Sequence, residues 1–314
     1  MKVLISGVSG FAGSHLAEYA LSLGHEVHGT TRWRSKLDNL EEIKDAVILH
    51  ECDITDAFAL RDIIKEVRPD YIFHLAAQSY VKSSWTEPAT TLNTNIIGEL
   101  NLFEAVRSIP GYKPRIQIAC SSEEYGHQDK VLEEEDRLKP LSPYAVSKVA
   151  QDLLGYQYFK SYGMHIVRTR GFNHTGPRRG EVFVCSTFAK QIVEIEKDKT
   201  KLPIIKVGNL DAERDFTDVR DMVKGYWLAL EKGEPGEAYN ICSGKTTPIK
   251  NILKKLLTFS KRQITVKNDE ERMRPSDLKV LIGDNTKFCE ATGWKPTIPI
   301  DTTLEDLLNY WRSK

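Results

Sequence analysis

Short β-branched and aliphatic runs alternate, through the first half of the chain, with longer segments whose apolar positions recur at helical spacing. "KVLIS" precedes a helical pattern over 13–23. "EVHGTT" and "AVILHECD" lead to a second near 57–67, and "YIFHLAA" to a third from about 92 to 107, before "RIQIACS". Runs that are apolar throughout suit strands covered on both faces, and the helical segments supply the crossovers that parallel strands require. The pattern predicts an α/β fold with a doubly wound parallel sheet of Rossmann type. Beyond residue 173 it loosens into "PIIKVGN", "EAYNICSG" and "QITVKN", with helical patterns near 186–197, 219–231 and 248–258. The expected division is a nucleotide-binding domain over 1–172 and a smaller mixed α/β substrate lobe over 173–314. A segment near 215–243 is expected to return to the first domain.

Composition narrows the function classes. Lys plus Arg equals Asp plus Glu at 44 each, so no net field draws in nucleic acid or an anionic membrane surface, and an anionic ligand must be held by cations gathered locally. The five cysteines are widely spaced and lack any C-x-x-C pair, which argues against a disulfide framework or a zinc site. "MKVLISG" is short for a signal peptide, and no stretch approaches the roughly 20 apolar residues of a spanning helix. A soluble, cytoplasmic protein without a metal is expected.

"GVSGFAG" places Gly7, Gly10 and Gly13, with Phe11 and Ala12 between them, directly after the first strand. Glycines there let the backbone turn tightly and approach a pyrophosphate, whose charge the following helix N-terminus favours. Where an NAD site would place an acid for the ribose 2′-hydroxyl, this chain has "TTRWRSKLD"; Arg32, Arg34 and Ser35 suit a 2′-phosphate and therefore NADP. A solvated basic loop would read the same way. Asp53 could accept from an adenine amino group or cap a helix, and Asp56 competes for the cap.

The strand "RIQIACS" ends in "SSEEYG", and "YAVSK" follows. Tyr144 and Lys148 are four apart and share one helix face. A lysine ammonium near a phenol favours the phenolate, which could exchange a proton with a sugar hydroxyl while hydride moves to a nicotinamide.

Together, and in this order, "GVSGFAG", "HLAAQS", "CSSEEYG" and "YAVSK" resemble the extended short-chain dehydrogenase/reductase family of nucleotide-sugar enzymes. Within it, "GFNHTGPRRGEVFV", "VGNLDAERD" and "RMRPSD" are most similar to the group that acts on GDP-mannose and its 4-keto-6-deoxy product. The resemblance implies that Ser121 faces the sugar's 4-oxygen, that Glu123 is a general base and acid, and that Tyr144 and Lys148 are the catalytic pair. It also implies that Ile54, Leu75, Ala76, Ala77, Gln78, Ser79, His174 and Arg179 line NADP. The GDP-sugar would meet Asn173, Val184, Lys190, Asn209, Arg214 and Arg274.

Two chemistries are open on these motifs. A GDP-mannose 4,6-dehydratase needs Glu123 near C5 and C6, whereas a GDP-4-keto-6-deoxy-mannose reductase needs only Ser121, Tyr144 and Lys148. "PRRGEVFV" and the basic "TTRWRS" favour the dehydratase; "RDFTDVRD" and "EAYNICSG" resemble the reductases as well. A catalytically silent NADP-binding scaffold is the third possibility, disfavoured by the intact Ser-Tyr-Lys set. A homodimer through two packed helices is the default assembly, with a homotetramer as the alternative. "LEEEDRLKP" reads as a solvated loop, and His74 and Trp227 read as packed residues.

Overall fold

Continuous apolar runs become parallel strands here because both faces of the main sheet are covered. The computed structural model describes residues 1–272 and 279–314, so Arg274 and Asp277 lie outside the described residues. Its strands are β1 (Lys2–Ser6), β2 (Glu26–Thr31), β3 (Val47–Glu51), β4 (Tyr71–His74), β5 (Arg115–Ser121), β6 (His165–Gly171), β7 (Asn173–Thr175), β8 (Ile204–Val207), β9 (Glu213–Asp218), β10 (Ala238–Ile241), β11 (Thr246–Pro248), β12 (Thr265–Asn268) and β13 (Val280–Leu281). Its α-helices are α1 (Phe11–Ser22), α2 (Ala57–Val67), α3 (Val81–Thr86), α4 (Pro88–Leu92), α5 (Gly98–Arg107), α6 (Pro143–Tyr162), α7 (Val184–Lys197), α8 (Val219–Lys232), α9 (Ile249–Thr258), α10 (Thr286–Thr292) and α11 (Ile300–Ser313).

The main sheet has seven strands in the order β10-β6-β5-β4-β1-β2-β3, every pair parallel. The order reverses between β1 and β4, and ligands of such sheets bind outside the carboxyl ends of the strands at that point. Ser6, His74, Ser121 and Gly171 are the last residues of four of these strands. One face packs on α1 and α8 through Leu16, Ala20, Met222 and Trp227; the other packs on α2, α5 and α6 through Ile64, Leu102, Phe103 and Tyr158. "EAYNICSG" supplies β10, which pairs with β6.

The remaining strands form a mixed sheet, β11-β9-β13 with β7 also on β9, and a parallel pair, β12-β8. They pack with α7, α9 and α11 around a separate core that includes Ile192, Ile205, Leu253 and Leu307.

One expected helix differs. The pattern over 92–107 is the greater part of a longer helical run that starts at Pro88 and passes through a π-helical turn, Asn93–Ile97, before α5. The turn carries Asn95, which is fully buried. Its Oδ1 accepts from Gln78 N at 2.8 Å, and its Nδ2 donates to Gln78 O at 3.1 Å and to Ser147 Oγ at 2.8 Å. The helix therefore reaches both the loop after β4 and α6, at a point where π-turns often mark functional sites.

Candidate active site

Backbone geometry at the glycine loop requires glycine because the chain packs closely on itself there. Gly7 has φ +71°, and a Cβ there would lie 3.0 Å from Ala76 Cα; a Cβ at Gly13 would lie 2.4 Å from Gly7 O. Gly10 is the N-cap of α1, with no side chain bonded to the helix end, so the first-turn N–H groups of Phe11, Ala12 and Gly13 face the loop. These features suit a pyrophosphate. At the carboxyl ends of β2 and β3, a cavity of about 490 Å³ is lined by Arg32, Trp33, Arg34, Ser35 and Asp53. Arg34 sits at φ +60° with its guanidinium 4.1 Å from the Trp33 ring centroid. Asp53 Oδ1 accepts from Thr55 N and Oγ1, while Asp56 caps α2 by accepting from Phe58 N and Ala59 N. The cap thus falls to Asp56, and both aspartates line the cavity. The residues present could hold a dinucleotide whose adenosine ribose carries a 2′-phosphate.

A second cavity, also about 490 Å³, opens at the ends of β4, β5 and β6. Ser79, Ser121, Glu123, Tyr144, Asn173, His174, Arg179, Val184, Asn209 and Arg214 all line it. Residues far apart in sequence therefore meet on one wall. Leu75 and Ala76 bind Ser6 through their N–H groups, and Gln78 is held by Asn95, which fixes the loop between the two cavities. Ile54 is buried against Gly98, under that loop's flank.

One expected contributor is not brought to this cavity. Lys190 is absent from its lining because its ammonium is taken by Glu181, with Glu194 at 3.7 Å and Trp311 beneath it. Arg274 lies outside the described residues. Sequence reasoning missed Lys82, Lys206 and Arg272, which line the same cavity as Arg214; lone basic residues in unrelated segments carry no local signal.

Helix α6 delivers the tyrosine. Ser142 Oγ accepts from Ala145 N at 3.1 Å and Pro143 occupies the first turn, so the helix begins at the cavity and Tyr144 sits in its opening turn. Lys148 follows on the same face, buried, donating to Ala119 O at 2.6 Å.

The electrostatics correct one expectation. Burial, the largest cause, pushes the Tyr144 phenol well up; the Ser121 hydroxyl opposes this, Glu123 and Glu124 add to it, and Arg179 is the cation pulling down. Lys148 is not that cation: its Nζ is 6.0 Å from the Tyr144 ring centroid and bound to a carbonyl, and burial lowers its own pKa. Arg179 is half-buried with its guanidinium 3.4 Å from the Phe183 ring centroid and 4.8 Å from that of Phe11, and desolvation brings it down to about 10. Burial likewise lowers His174 to about 4; its ring stacks on Phe11. The loop bearing Arg179 is clamped on α1, since Arg178, at φ +70°, pairs with Glu18, and His15 Nε2 lies 2.9 Å from Pro177 O.

Residues 4–307 match the family described as GDP-mannose 4,6 dehydratase. The chain belongs to this family. Among its relatives, the GDP-6-deoxy-D-mannose reductase of Pseudomonas aeruginosa is 32% identical, covering 100% of this chain and 98% of that protein. The GDP-mannose 4,6-dehydratase of Yersinia enterocolitica is 31% identical, with coverages of 98% and 92%. Among solved structures, the P. aeruginosa RMD protein complexed with NADPH superposes with a TM-score of 0.85 at 30% identity, covering 99% of both chains. The UDP-glucose 4-epimerase of Thermotoga maritima, bound to UDP-glucose, gives 0.88 at 30% identity, covering 100% and 99%. Members of the dehydratase family thus share this fold with reductases and epimerases, so the chemistry has to be argued from the site. No described helix is long and apolar enough to cross a membrane.

Proposed function

We propose that this chain is a GDP-mannose 4,6-dehydratase that converts GDP-mannose to GDP-4-keto-6-deoxy-mannose with NADP as a resident cofactor. The observation that carries this reading is the position of Glu123: it lines the same cavity as Ser121 and Tyr144, where dehydration needs a base and acid that simple reduction does not. Gly7, Gly10, Phe11, Ala12 and Gly13 would hold the cofactor's pyrophosphate, Arg32, Arg34 and Ser35 its 2′-phosphate, and the loop 75–79 with His174 and Arg179 its nicotinamide half. When bound, NADP supplies a hydride acceptor and donor that ends each turnover unchanged.

The chain's own residues handle the protons. Tyr144, with Ser121 hydrogen-bonding the sugar's O4, takes the hydroxyl proton as C4 is oxidised. Burial holds its phenol protonated in the ligand-free protein, so ionisation requires the positive charges of Arg179 and the oxidised nicotinamide together. Once C4 is a ketone the C5 proton is acidic; Glu123 takes it and delivers it to the departing C6 oxygen as water leaves, and the proton held by Tyr144 returns to C5 as C6 is reduced. Lys82, Lys206, Arg214 and Arg272 line the cavity together with Asp269 and Glu271, and would supply the cations that the nucleotide diphosphate of a GDP-sugar needs.

The reductase reading has one observation in its favour. The alignment with the P. aeruginosa reductase runs over 316 residues against 314 in this chain, whereas that with the Yersinia dehydratase runs over 348. Incubating the protein with GDP-mannose and substoichiometric NADP separates the two. A product lighter by one water supports the dehydratase; no product, with NADPH oxidised mole for mole on a 4-keto-6-deoxy sugar, supports the reductase.

The same reading places the protein in a reducing cytoplasm, consistent with five free thiols of which four are buried. It also assembles the protein as a homodimer through α5 and α6, where Val146, Leu153 and Tyr156 are exposed on α6. Trp33, 67% exposed beside Arg32 and Arg34, is the natural contact for a tetramer.

A further inference from the structure

Ser121 ends β5, and the 3-10 turn Ser122–Tyr125 that follows decides how its side chain stands. Its hydroxyl accepts the Glu123 N–H at 3.2 Å, and its own N–H donates to Glu124 Oε1 at 2.7 Å. The two bonds are reciprocal, as in a helix capping box, so strand end and turn hold each other. With its oxygen accepting from the turn, the Ser121 hydroxyl faces the cavity beside the Tyr144 phenol, whose charged form it favours.

Glu124 is fully buried, a costly place for a carboxyl unless neighbours stabilise it. Arg170 Nε lies 3.6 Å from its Oε2, the one oxygen of the pair without a hydrogen bond among the described residues. Arg170 is itself fixed by Asp152, by the Tyr125 hydroxyl at 2.9 Å and by Glu134 O at 2.7 Å. Asp152 also takes Arg168. A network that immobilises one guanidinium this completely gives Glu124 a rigid support, and what Glu124 touches on its other side is Ser121.

We propose that Glu124 is a positioning residue for Ser121: through the Ser121 N–H to Oε1 bond, braced by Arg170, it holds the Ser121 hydroxyl where the sugar's 4-oxygen arrives. This rests on Ser121 being the partner of that oxygen, which both the dehydratase and the reductase reading require. Placement errors of this kind act on the reacting geometry and leave binding nearly untouched.

The test is a set of variants of the full-length protein assayed with the sugar it turns over. Glu124→Leu, similar in bulk but unable to accept a hydrogen bond, is expected to lower kcat by up to about 100-fold. Its KM and NADP Kd should stay within about twofold of wild type. Glu124→Gln, which keeps an acceptor oxygen, should recover most of the rate. Adding Ser121→Ala to Glu124→Leu should cost little more than Ser121→Ala alone, because both act through one hydroxyl. If Glu124→Leu does not fold, Glu124→Asp, which withdraws the carboxylate by one carbon, carries the same expectation. A normal kcat in the Leu or Asp variant overturns the proposal, as does a loss that Gln fails to recover or that multiplies with that of Ser121→Ala. If Ser121→Ala alone keeps the full rate, the assignment of Ser121 falls instead.

Discussion

Ser6 and His74 fix each other's protons at the point where the sheet order reverses. The Ser6 oxygen accepts the N–H groups of Leu75 and Ala76 at 3.0 and 3.1 Å, so its one proton goes to His74 Nδ1, 3.0 Å away. That ring nitrogen must be an acceptor, which leaves His74 neutral with its proton on Nε2, an atom without a hydrogen-bond partner among the described residues. Burial, followed by the charge of Lys148, holds its pKa down at about 3.

A stability profile should record this. The folded pKa is below the unfolded value near 6.5, so the contribution is complete above pH 6.5 and is lost as pH falls towards 3. Between pH 7 and 5 the loss from His74 is about 2 kcal/mol. His74→Asn keeps an acceptor for Ser6 and cannot titrate, so its urea-unfolding stability should fall less steeply over that range. Residual slope is expected from His174, which shifts in the same direction. Parallel pH profiles for variant and wild type would contradict the assignment.

Cofactor choice should follow the cavity at the ends of β2 and β3. Replacing both Arg32 and Arg34 with alanine is expected to weaken NADP binding by about tenfold or more, the worth of a charge-assisted hydrogen bond, and to leave NAD binding almost unchanged. Titration calorimetry with the two nucleotides measures the difference directly. Equal losses for both would mean that the arginines support the loop and not the 2′-phosphate.

Glu123 should matter to one half of the reaction only. Glu123→Gln is expected to lower the dehydration rate by about 100-fold or more, the usual contribution of general acid–base catalysis, with NADP and GDP-mannose binding retained. Near-normal dehydration in this variant would remove Glu123 from the mechanism.

Features that depend on local backbone chemistry were legible in the sequence, and those that depend on convergence were not. The glycine loop follows β1 because a tight turn and a close backbone approach both demand glycine there, and Tyr144 and Lys148 share a face because four residues make about one helical turn. Lys190 illustrates the opposite case: its motif suggested a ligand, but Glu181 reaches back to it from the preceding loop. The Tyr144 phenol is a second example. Its shift is governed by burial, opposed first by the Ser121 hydroxyl and least by Arg179, whose loop is clamped on α1 through Arg178 and Pro177. Glu124 gave no sign of its use, since the arginine that braces it lies in β6.

The central claim is that hydride leaves C4 and returns to C6 of the same sugar while Glu123 moves the intervening protons. GDP-mannose carrying deuterium at C4, incubated with the protein and substoichiometric NADP, tests it by mass spectrometry and NMR. The predicted result is a 4-keto-6-deoxy product that has lost water and holds the deuterium in its C6 methyl group. Unchanged GDP-mannose with the deuterium still at C4, beside NADPH-dependent reduction of the 4-keto-6-deoxy sugar by the same preparation, would contradict it.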